Sequence, residues 1–199
     1  MRIYLASGNA HKVEEFRQLA SDTGFAVEVF SAREIGGMPP VQEDAGTFAG
    51  NARKKARALL PQVPPGAWVL ADDSGLCVDA LDGAPGVESA YYAGPLGDSR
   101  ANLAKLVETM QAVPEARRGA HFTCVLCLVA SDGREQVFEG ICPGRLRREP
   151  RGGGGFGYDP LFVPDEEEKT FAELGEAVKN RLSHRARAWQ RLAAWVRGN

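Results

Sequence analysis

Apolar residues recur along this chain with two different periods, and each period predicts a different kind of element. Four apolar runs predict buried β-strands, at 2–6, 27–31, 68–71 and 121–131. Helical spacing predicts three helices between them, with apolar faces formed by Val13, Phe16 and Ala20; by Phe48, Ala52, Ala56 and Leu59; and by Leu103, Leu106, Val107 and Met110. Thr47 and Ser99 are the predicted N-caps of the second and third helix.

The second half of the chain adds antiparallel pairing and a terminal helix. Ser131-Asp132-Gly133 precedes the segment QVFEGICPGRL, and Asp-Gly is a strong hairpin signal. The last helix carries Leu182, Trp189, Leu192 and Val196 on one stripe. These signals predict an α/β fold with a mixed central sheet flanked by helices, in two lobes with an active-site cleft, formed as a single domain over residues 1–199.

Composition narrows the classes of partner. The formal net charge is −2 and the basic residues are spread along the chain, which argues against nucleic acid. No apolar stretch approaches the roughly 20 residues needed to span a bilayer, and the N-terminus MRIYLASGN does not have a signal-peptide layout. We therefore expect a cytoplasmic protein with no membrane partner.

The cysteines include one CxxC motif, a pattern that can indicate zinc or redox chemistry. Cys124 and Cys127 lie in the predicted strand HFTCVLCLVAS, where a spacing of three sends the side chains to opposite faces. We therefore predict structural thiols, consistent with a reducing compartment.

A first candidate site lies at the junction between the first strand and the first helix. Free backbone N–H groups at a helix start, followed by a lysine, can hold a phosphate, although no Walker A motif is present. A plain turn with a solvated lysine is the alternative. The residues concerned are Ser7, Gly8, Asn9, Ala10, His11 and Lys12.

The second candidate site is a set of carboxylates, Glu43, Asp72 and Asp73. The two aspartates follow WVLA at 68–71, where we expect the strand to end. Carboxylates from separate loops suit Mg²⁺, and one could hold the metal while another accepts a proton from attacking water. The alternative is that either aspartate caps the turn.

Two further groups could recognise a nucleotide base. Glycines 152–155 precede a segment whose aromatic side chain could stack on the base. The alternative is that this segment is a flexible loop with two aromatic residues in the core. Cationic donors near the start of the last helix could hold phosphate or contact a purine carbonyl, unless they form a solvated basic face. These residues are Phe156, Gly157, Tyr158 and Asp159, and Lys179, His184 and Arg185.

In chain order, the segments SGNAHKVEEF, EDAGTFAGNARKKA, ADDSGLCVDALDGAPGVESAYYAG, GGFGYDPLFVP and KNRLSHRARA resemble the inosine triphosphate pyrophosphatase family. The resemblance extends from Ser7 to Ala188. It implies an elongated α/β homodimer that uses Mg²⁺ to hydrolyse non-canonical purine nucleoside triphosphates, such as dITP, ITP and XTP, to the monophosphate and pyrophosphate.

The resemblance also implies a role for each matched residue. Ser7 to Lys12 would contact the triphosphate, with Lys12 stabilising the leaving pyrophosphate. Glu43 and Asp73 would hold Mg²⁺, with Asp73 also the general base and Asp72 a support or turn residue. The residues that would contact the base and the rest of the substrate are Ser74, Phe156 to Asp159, Lys179, His184 and Arg185.

One departure from the family pattern concerns the metal. The family commonly has a glutamate where this chain has Gly50, and a glutamate three residues after Thr47 would complete a capping box. Gly50 removes that bond and places a helix-destabilising residue there. If the missing glutamate normally helps to bind metal, Glu43 and the aspartates must suffice here.

Three other functions fit parts of the pattern. A pyrophosphatase for modified pyrimidine triphosphates could share this architecture, but would give no reason for His184 and Arg185 to face a purine. A non-catalytic nucleotide sensor could use the same loops. An aspartyl-phosphate phosphatase is disfavoured, because the expected Asp-x-Asp spacing is absent.

Overall fold

The computed structural model of the protein describes residues 1–24 and 26–198. Strands and helices alternate through the first half of the chain, and a hairpin and three helices follow. In chain order the elements are β1 Arg2–Leu5, α1 Ala10–Asp22, β2 Glu28–Ser31, α2 Phe48–Leu59, β3 Trp68–Val78, α3 Ser99–Thr109, β4 Gly119–Ala130, β5 Glu135–Leu146, β6 Phe162–Pro164, α4 Phe171–Leu174, α5 Glu176–Leu182 and α6 His184–Arg197.

The strands of the described residues form one six-stranded mixed sheet in the order β2-β1-β3-β4-β5-β6. Strand β1 pairs in parallel with β2 and β3, whereas β5 and β6 are antiparallel. A short turn joins neighbouring β4 and β5, and the Ala130 N–H donates to the Arg134 carbonyl at 2.9 Å. A turn this short joins only antiparallel neighbours. The predicted α/β class with a mixed sheet and the predicted hairpin are confirmed.

The chain divides into two compact units, and strands β3, β4 and β5 contribute residues to both. Unit 1 comprises Met1–Asp73, Cys124–Gly140 and Ala188–Asn199. Its core packs the α2 face against alternate residues of the strands, because helical and strand periods each bring one apolar row to the contact. The cluster formed at this contact includes the fully buried residues Ala32, Ala52, Ala56, Leu59, Val69, Ala71 and Cys127.

Unit 2 comprises Ser74–Thr123 and Ile141–Arg187. Its core includes packed aromatic rings, with the Phe122 and Phe162 ring centroids 4.8 Å apart. Arg118 is 1% exposed, and its guanidinium donates to the carbonyls of Met110, Leu146 and Arg147 at 2.6–2.9 Å. Those carbonyls satisfy a buried cation that would otherwise be costly. The prediction of a single domain stays a prediction.

The structure corrects the predicted end of the third strand. Strand β3 does not end where its apolar run ends, at Ala71, but continues to Val78, so Asp72 and Asp73 lie inside it. Ladder pairing depends on the backbone, which polar side chains do not interrupt. Because successive strand residues point to opposite faces, the two carboxylates are directed apart.

Two helix boundaries also differ from the prediction. The N-cap of α3 is Asp98, whose side chain accepts from the N–H groups of Arg100 and Ala101, and Ser99 is the first helical residue. The predicted last helix is interrupted at Ser183, whose extended backbone separates α5 from α6. Leu182 therefore lies on a different helix from Trp189. No helix in the described part of the chain is long and apolar enough to cross a membrane.

Candidate active site

The loop between β1 and α1 is held by its own side chains. The side-chain oxygen Oδ1 of Asn9 caps α1 by accepting from the N–H groups of His11 and Lys12 at 2.9 and 3.4 Å, and Ser7 Oγ accepts from the Asn9 N–H at 3.1 Å. Within residues 1–24 and 26–198, the Gly8 and Ala10 amides have no hydrogen-bond partner. An anion would meet these two amides first, and would reach the others by displacing Ser7 and Asn9.

Lys12 extends from α1 to a buried carboxylate on β3. Its Nζ lies 2.5 Å from Asp72 Oδ1, and the Asp72 side chain is 1% exposed. Cys124 Sγ donates to the other Asp72 oxygen at 3.4 Å. Asp72 therefore fixes the direction of Lys12, and the described geometry does not fit a freely solvated lysine.

A second lysine joins two of the predicted metal ligands. Lys55 Nζ, on α2, donates to Glu43 Oε2 at 2.8 Å and to Asp73 Oδ1 at 2.7 Å. Our sequence prediction missed Lys55. A signal was available, since Lys55 is three residues after Ala52 and four before Leu59, which places it on the apolar face of α2.

These two carboxylates differ in proton affinity. Burial raises the pKa of Asp73 to about 6, against the opposing effect of Lys55. Burial also acts to raise the pKa of Glu43, but the hydrogen bond and charge of Lys55 outweigh it and hold that pKa below its ordinary value. Glu43 is therefore ionised at neutral pH, whereas Asp73 has the proton affinity that suits a general base.

The acidic pair provides oxygen ligands of the kind that Mg²⁺ requires. No cluster of three His, Cys, Asp or Glu side chains suited to a metal ion occurs among the described residues. However, Asp73 Oδ2 is buried and has no hydrogen-bond partner in that part of the chain, and both carboxylates already converge on one cationic group. Mg²⁺ is commonly held by one or two carboxylates, with water and substrate phosphate completing its shell. The residues present therefore fit the ion.

In unit 2, a buried carboxylate organises the glycine-rich loop. Asp159 Oδ2 accepts from Lys179 Nζ at 2.7 Å and from the Phe156 N–H at 2.7 Å. Gly155 has φ +76°, and a Cβ there would lie 2.5 Å from the same oxygen. The loop can approach Asp159 this closely only because residue 155 is glycine.

The two aromatic residues of this loop have different surroundings. Phe156 is 71% exposed, whereas Tyr158 is 5% exposed and belongs to the core of unit 2. The Tyr158 hydroxyl donates to the Ser89 carbonyl at 2.8 Å. Gly157, between them, has φ +61°, which favours glycine. Phe156 is therefore the ring available for stacking, and Tyr158 anchors the loop.

The predicted basic face is buried. Lys179, His184 and Arg185 are each at most 8% exposed, so the alternative of a solvated basic face is wrong. Arg185 donates to Ser74 Oγ at 3.2 Å, and the His184 ring stacks on Phe122 with centroids 4.8 Å apart. The structure thus joins Arg185 to Ser74 within unit 2.

Comparison with known proteins finds close relatives. Residues 3–195 match the sequence model of the Ham1 family. The chain is 62% identical over 201 residues to a dITP/XTP pyrophosphatase of Opitutus terrae, covering 99% of each chain. It is similar to the structure of a HAM1 protein from Coxiella burnetii, with TM-score 0.88, 35% identity and 100% of each chain covered. A nucleoside-triphosphatase / dITP/XTP pyrophosphatase from Mycobacterium abscessus gives TM-score 0.76 at 40% identity, covering 96% of this chain and 97% of that one.

Proposed function

The chain belongs to the Ham1 family, and we propose that it hydrolyses dITP, ITP and XTP to the nucleoside monophosphate and pyrophosphate. The names of its relatives support dITP and XTP as substrates, and ITP is included because it carries the same base as dITP. The observation that carries the proposal for this chain is the pair Glu43 and Asp73 on Lys55, in which one buried Asp73 oxygen has no partner within the described residues.

The proposal includes Mg²⁺ as the metal, held by Glu43 and Asp73. When bound, the ion would neutralise triphosphate charge and orient the substrate. Because position 50 is glycine and has no carboxylate, Glu43 and Asp73 are the proposed protein ligands. Two carboxylates are sufficient for an ion that also binds phosphate.

In the proposed reaction, Asp73 accepts a proton from the water that attacks the α-phosphorus. The bond between that phosphorus and the bridging oxygen of the β-phosphate breaks, and the electron pair leaves on pyrophosphate. Lys12, held in direction by Asp72, stabilises the charge that develops there. The loop from Ser7 to His11 contacts the phosphates, with the Gly8 and Ala10 amides as the first donors.

Base selection is assigned to unit 2. Phe156 stacks on the base, and donors from His184, Arg185 and Lys179 face the 6-oxo group of hypoxanthine or xanthine. Adenine would present an amino group there, so that a donor meets a donor and a buried group stays unpaired. Guanine also carries a 6-oxo group, and its rejection must depend on the 2-position.

From the resemblance we also propose a cytoplasmic homodimer with no nucleic-acid or membrane partner. The net charge of −2 supports the absence of a nucleic-acid partner. Light scattering coupled to gel filtration tests the dimer, and a monomer at micromolar concentration would contradict it.

The direct test incubates the protein with Mg²⁺ and, separately, dITP, XTP, dATP, dGTP and dUTP, and measures pyrophosphate and orthophosphate. We expect pyrophosphate as the first product, with dITP and XTP strongly preferred. Equal turnover of all purine substrates, or orthophosphate released first, would overturn the proposal. Preference for dUTP would favour the pyrimidine alternative, and binding without turnover would favour a sensor.

A further inference from the structure

The loop that carries Glu43 is fastened residue by residue to α2. Glu43 is itself exposed and lies in a segment without regular structure, so its position depends on the backbone around it. Four consecutive loop residues contact the helix: Gln42 and Asp44 through Lys54, Glu43 through Lys55, and Ala45 through Asn51.

Asn51 is the least exposed of the helix residues that make these contacts. Asn51 is only 1% exposed, and its side-chain Oδ1 accepts from the Ala45 N–H at 3.0 Å. A part-buried hydrogen bond from a backbone amide to a buried side chain holds a loop more firmly than exposed ion pairs such as that of Lys54 with Asp44. The amide plane at Ala45, two residues after Glu43, is therefore fixed.

Gly50 allows this approach by having no side chain. A Cβ at position 50 would lie 2.5 Å from the Ala45 Cβ and 2.9 Å from Thr47 Oγ1, whereas carbon atoms in contact lie about 3.5–4.0 Å apart. Position 50 lies within α2, where glycine is intrinsically less favourable than alanine. The glycine is thus explained by the loop and not by the helix.

We propose that Gly50 and Ala45 form a matched pair that, together with Asn51, positions Glu43 to bind a divalent cation. Gly50 and Asn51 are positioning residues in this account, since neither touches the substrate or the metal. The inference rests on the proposed function only in that it takes Glu43 as a metal ligand. Gly50, which departs from the family pattern, thereby has the role of allowing the loop to position Glu43.

The test measures binding of Mn²⁺ alone, by the loss of the free-ion signal in electron paramagnetic resonance, so that it does not depend on turnover. Gly50→Ala should weaken Mn²⁺ binding about tenfold, which corresponds to about 1.4 kcal/mol. The double variant Ala45→Gly/Gly50→Ala removes the opposing carbon and should recover most of that loss. Gly198→Ala is the matched control, because a Cβ there would meet nothing closer than 3.7 Å.

The double variant separates the steric account from helix propensity. If alanine acted only on the helix, Gly50→Ala would bind Mn²⁺ as well as the parent protein, and that result overturns the inference. A double variant as weak as Gly50→Ala, or no measurable Mn²⁺ binding by the parent, also overturns it.

A second variant covers the case in which Gly50→Ala does not fold. Ala45→Val enlarges the exposed loop side of the same contact, and should weaken Mn²⁺ binding while circular dichroism keeps the parent spectrum. The two proposals fail separately: the expected Mn²⁺ pattern without hydrolysis of dITP or XTP contradicts the function alone, and hydrolysis without that pattern contradicts the positioning role alone.

Discussion

The polar clusters of the two units use charge in different ways. In unit 1, Lys12 and Lys55 each lie against carboxylates, and the carboxylates outnumber the ammonium groups. In unit 2, Lys179 has a carboxylate partner, while His184 is stacked on an aromatic ring. The first arrangement suits the movement of protons and phosphate charge, and the second suits recognition of a flat, neutral base. Substitutions in unit 1 should therefore change the rate, and those in unit 2 the selection of substrate.

The largest expected effect comes from Asp73→Asn. Removing a general base costs about 10²–10⁴ in kcat, and we expect a loss in this range with little change in KM for dITP when Mg²⁺ is saturating. Steady-state kinetics measures both. Asp132→Asn, in the exposed turn before β5, is the control and should behave as the parent. An unchanged kcat would remove Asp73 from the proposed role.

The same variant should not destabilise the fold at neutral pH. The folded-state pKa of Asp73, about 6, is above its ordinary value of 3.8, so the folded state binds this proton more tightly than the unfolded state. The free energy of unfolding therefore falls as the pH rises between those two values. Above both values, the buried ionised carboxylate makes the folded state less stable than a neutral side chain would. We expect the Tm of Asp73→Asn at pH 7.5 to be no lower than that of the parent, and a large fall would indicate lost structure.

A smaller effect, on KM rather than on kcat, is expected for Phe156→Ala. Stacking of a base on an aromatic ring contributes about 1–3 kcal/mol, so the KM for dITP should rise about tenfold, while kcat changes little. Leu96→Ala replaces another exposed apolar residue of unit 2, and serves as the control. A loss in kcat with constant KM would break the contrast between the two units.

The smallest expected effect is that of Tyr158→Phe. Burial raises the pKa of Tyr158, so the phenol stays a hydrogen-bond donor to Ser89 through the neutral range. Losing that bond should cost about 1 kcal/mol of unfolding free energy, or about 2–4 °C in Tm, without changing KM. Tyr91→Phe, at a half-exposed residue, should leave Tm unchanged. A raised KM with constant Tm would assign Tyr158 to the substrate rather than to the core.

Periodicity was sufficient to predict the elements whose apolar face is buried. The α2 face of Ala52, Ala56 and Leu59 and the hairpin at Asp132-Gly133 both follow from local patterns. The continuation of β3 through two aspartates does not, because ladder pairing uses backbone groups that every residue carries. Nor does the break at Ser183, since the apolar stripe runs across it.

The site was predictable by residue type, but not by partner. Motif matches selected Glu43, Asp73 and Lys12. The helical period places Lys55 on the apolar face of α2, but it does not show that Lys55 joins Glu43 to Asp73. The contact of Gly50 with Ala45 could not be predicted, because a glycine in sequence does not show which atom approaches it. Exposure of Phe156 and burial of Tyr158 likewise depend on where the loop folds back.

The alternation of side chains along β3 has a consequence for how this segment can vary. Asp72 accepts a hydrogen bond from Lys12 and Asp73 accepts one from Lys55. Both contacts depend on the two aspartates occupying successive positions of β3 in one fixed register. Deleting or inserting a single residue just before them would exchange the faces that the two carboxylates occupy. A volume-conserving apolar substitution in this buried stretch should therefore be tolerated better than any change in its length.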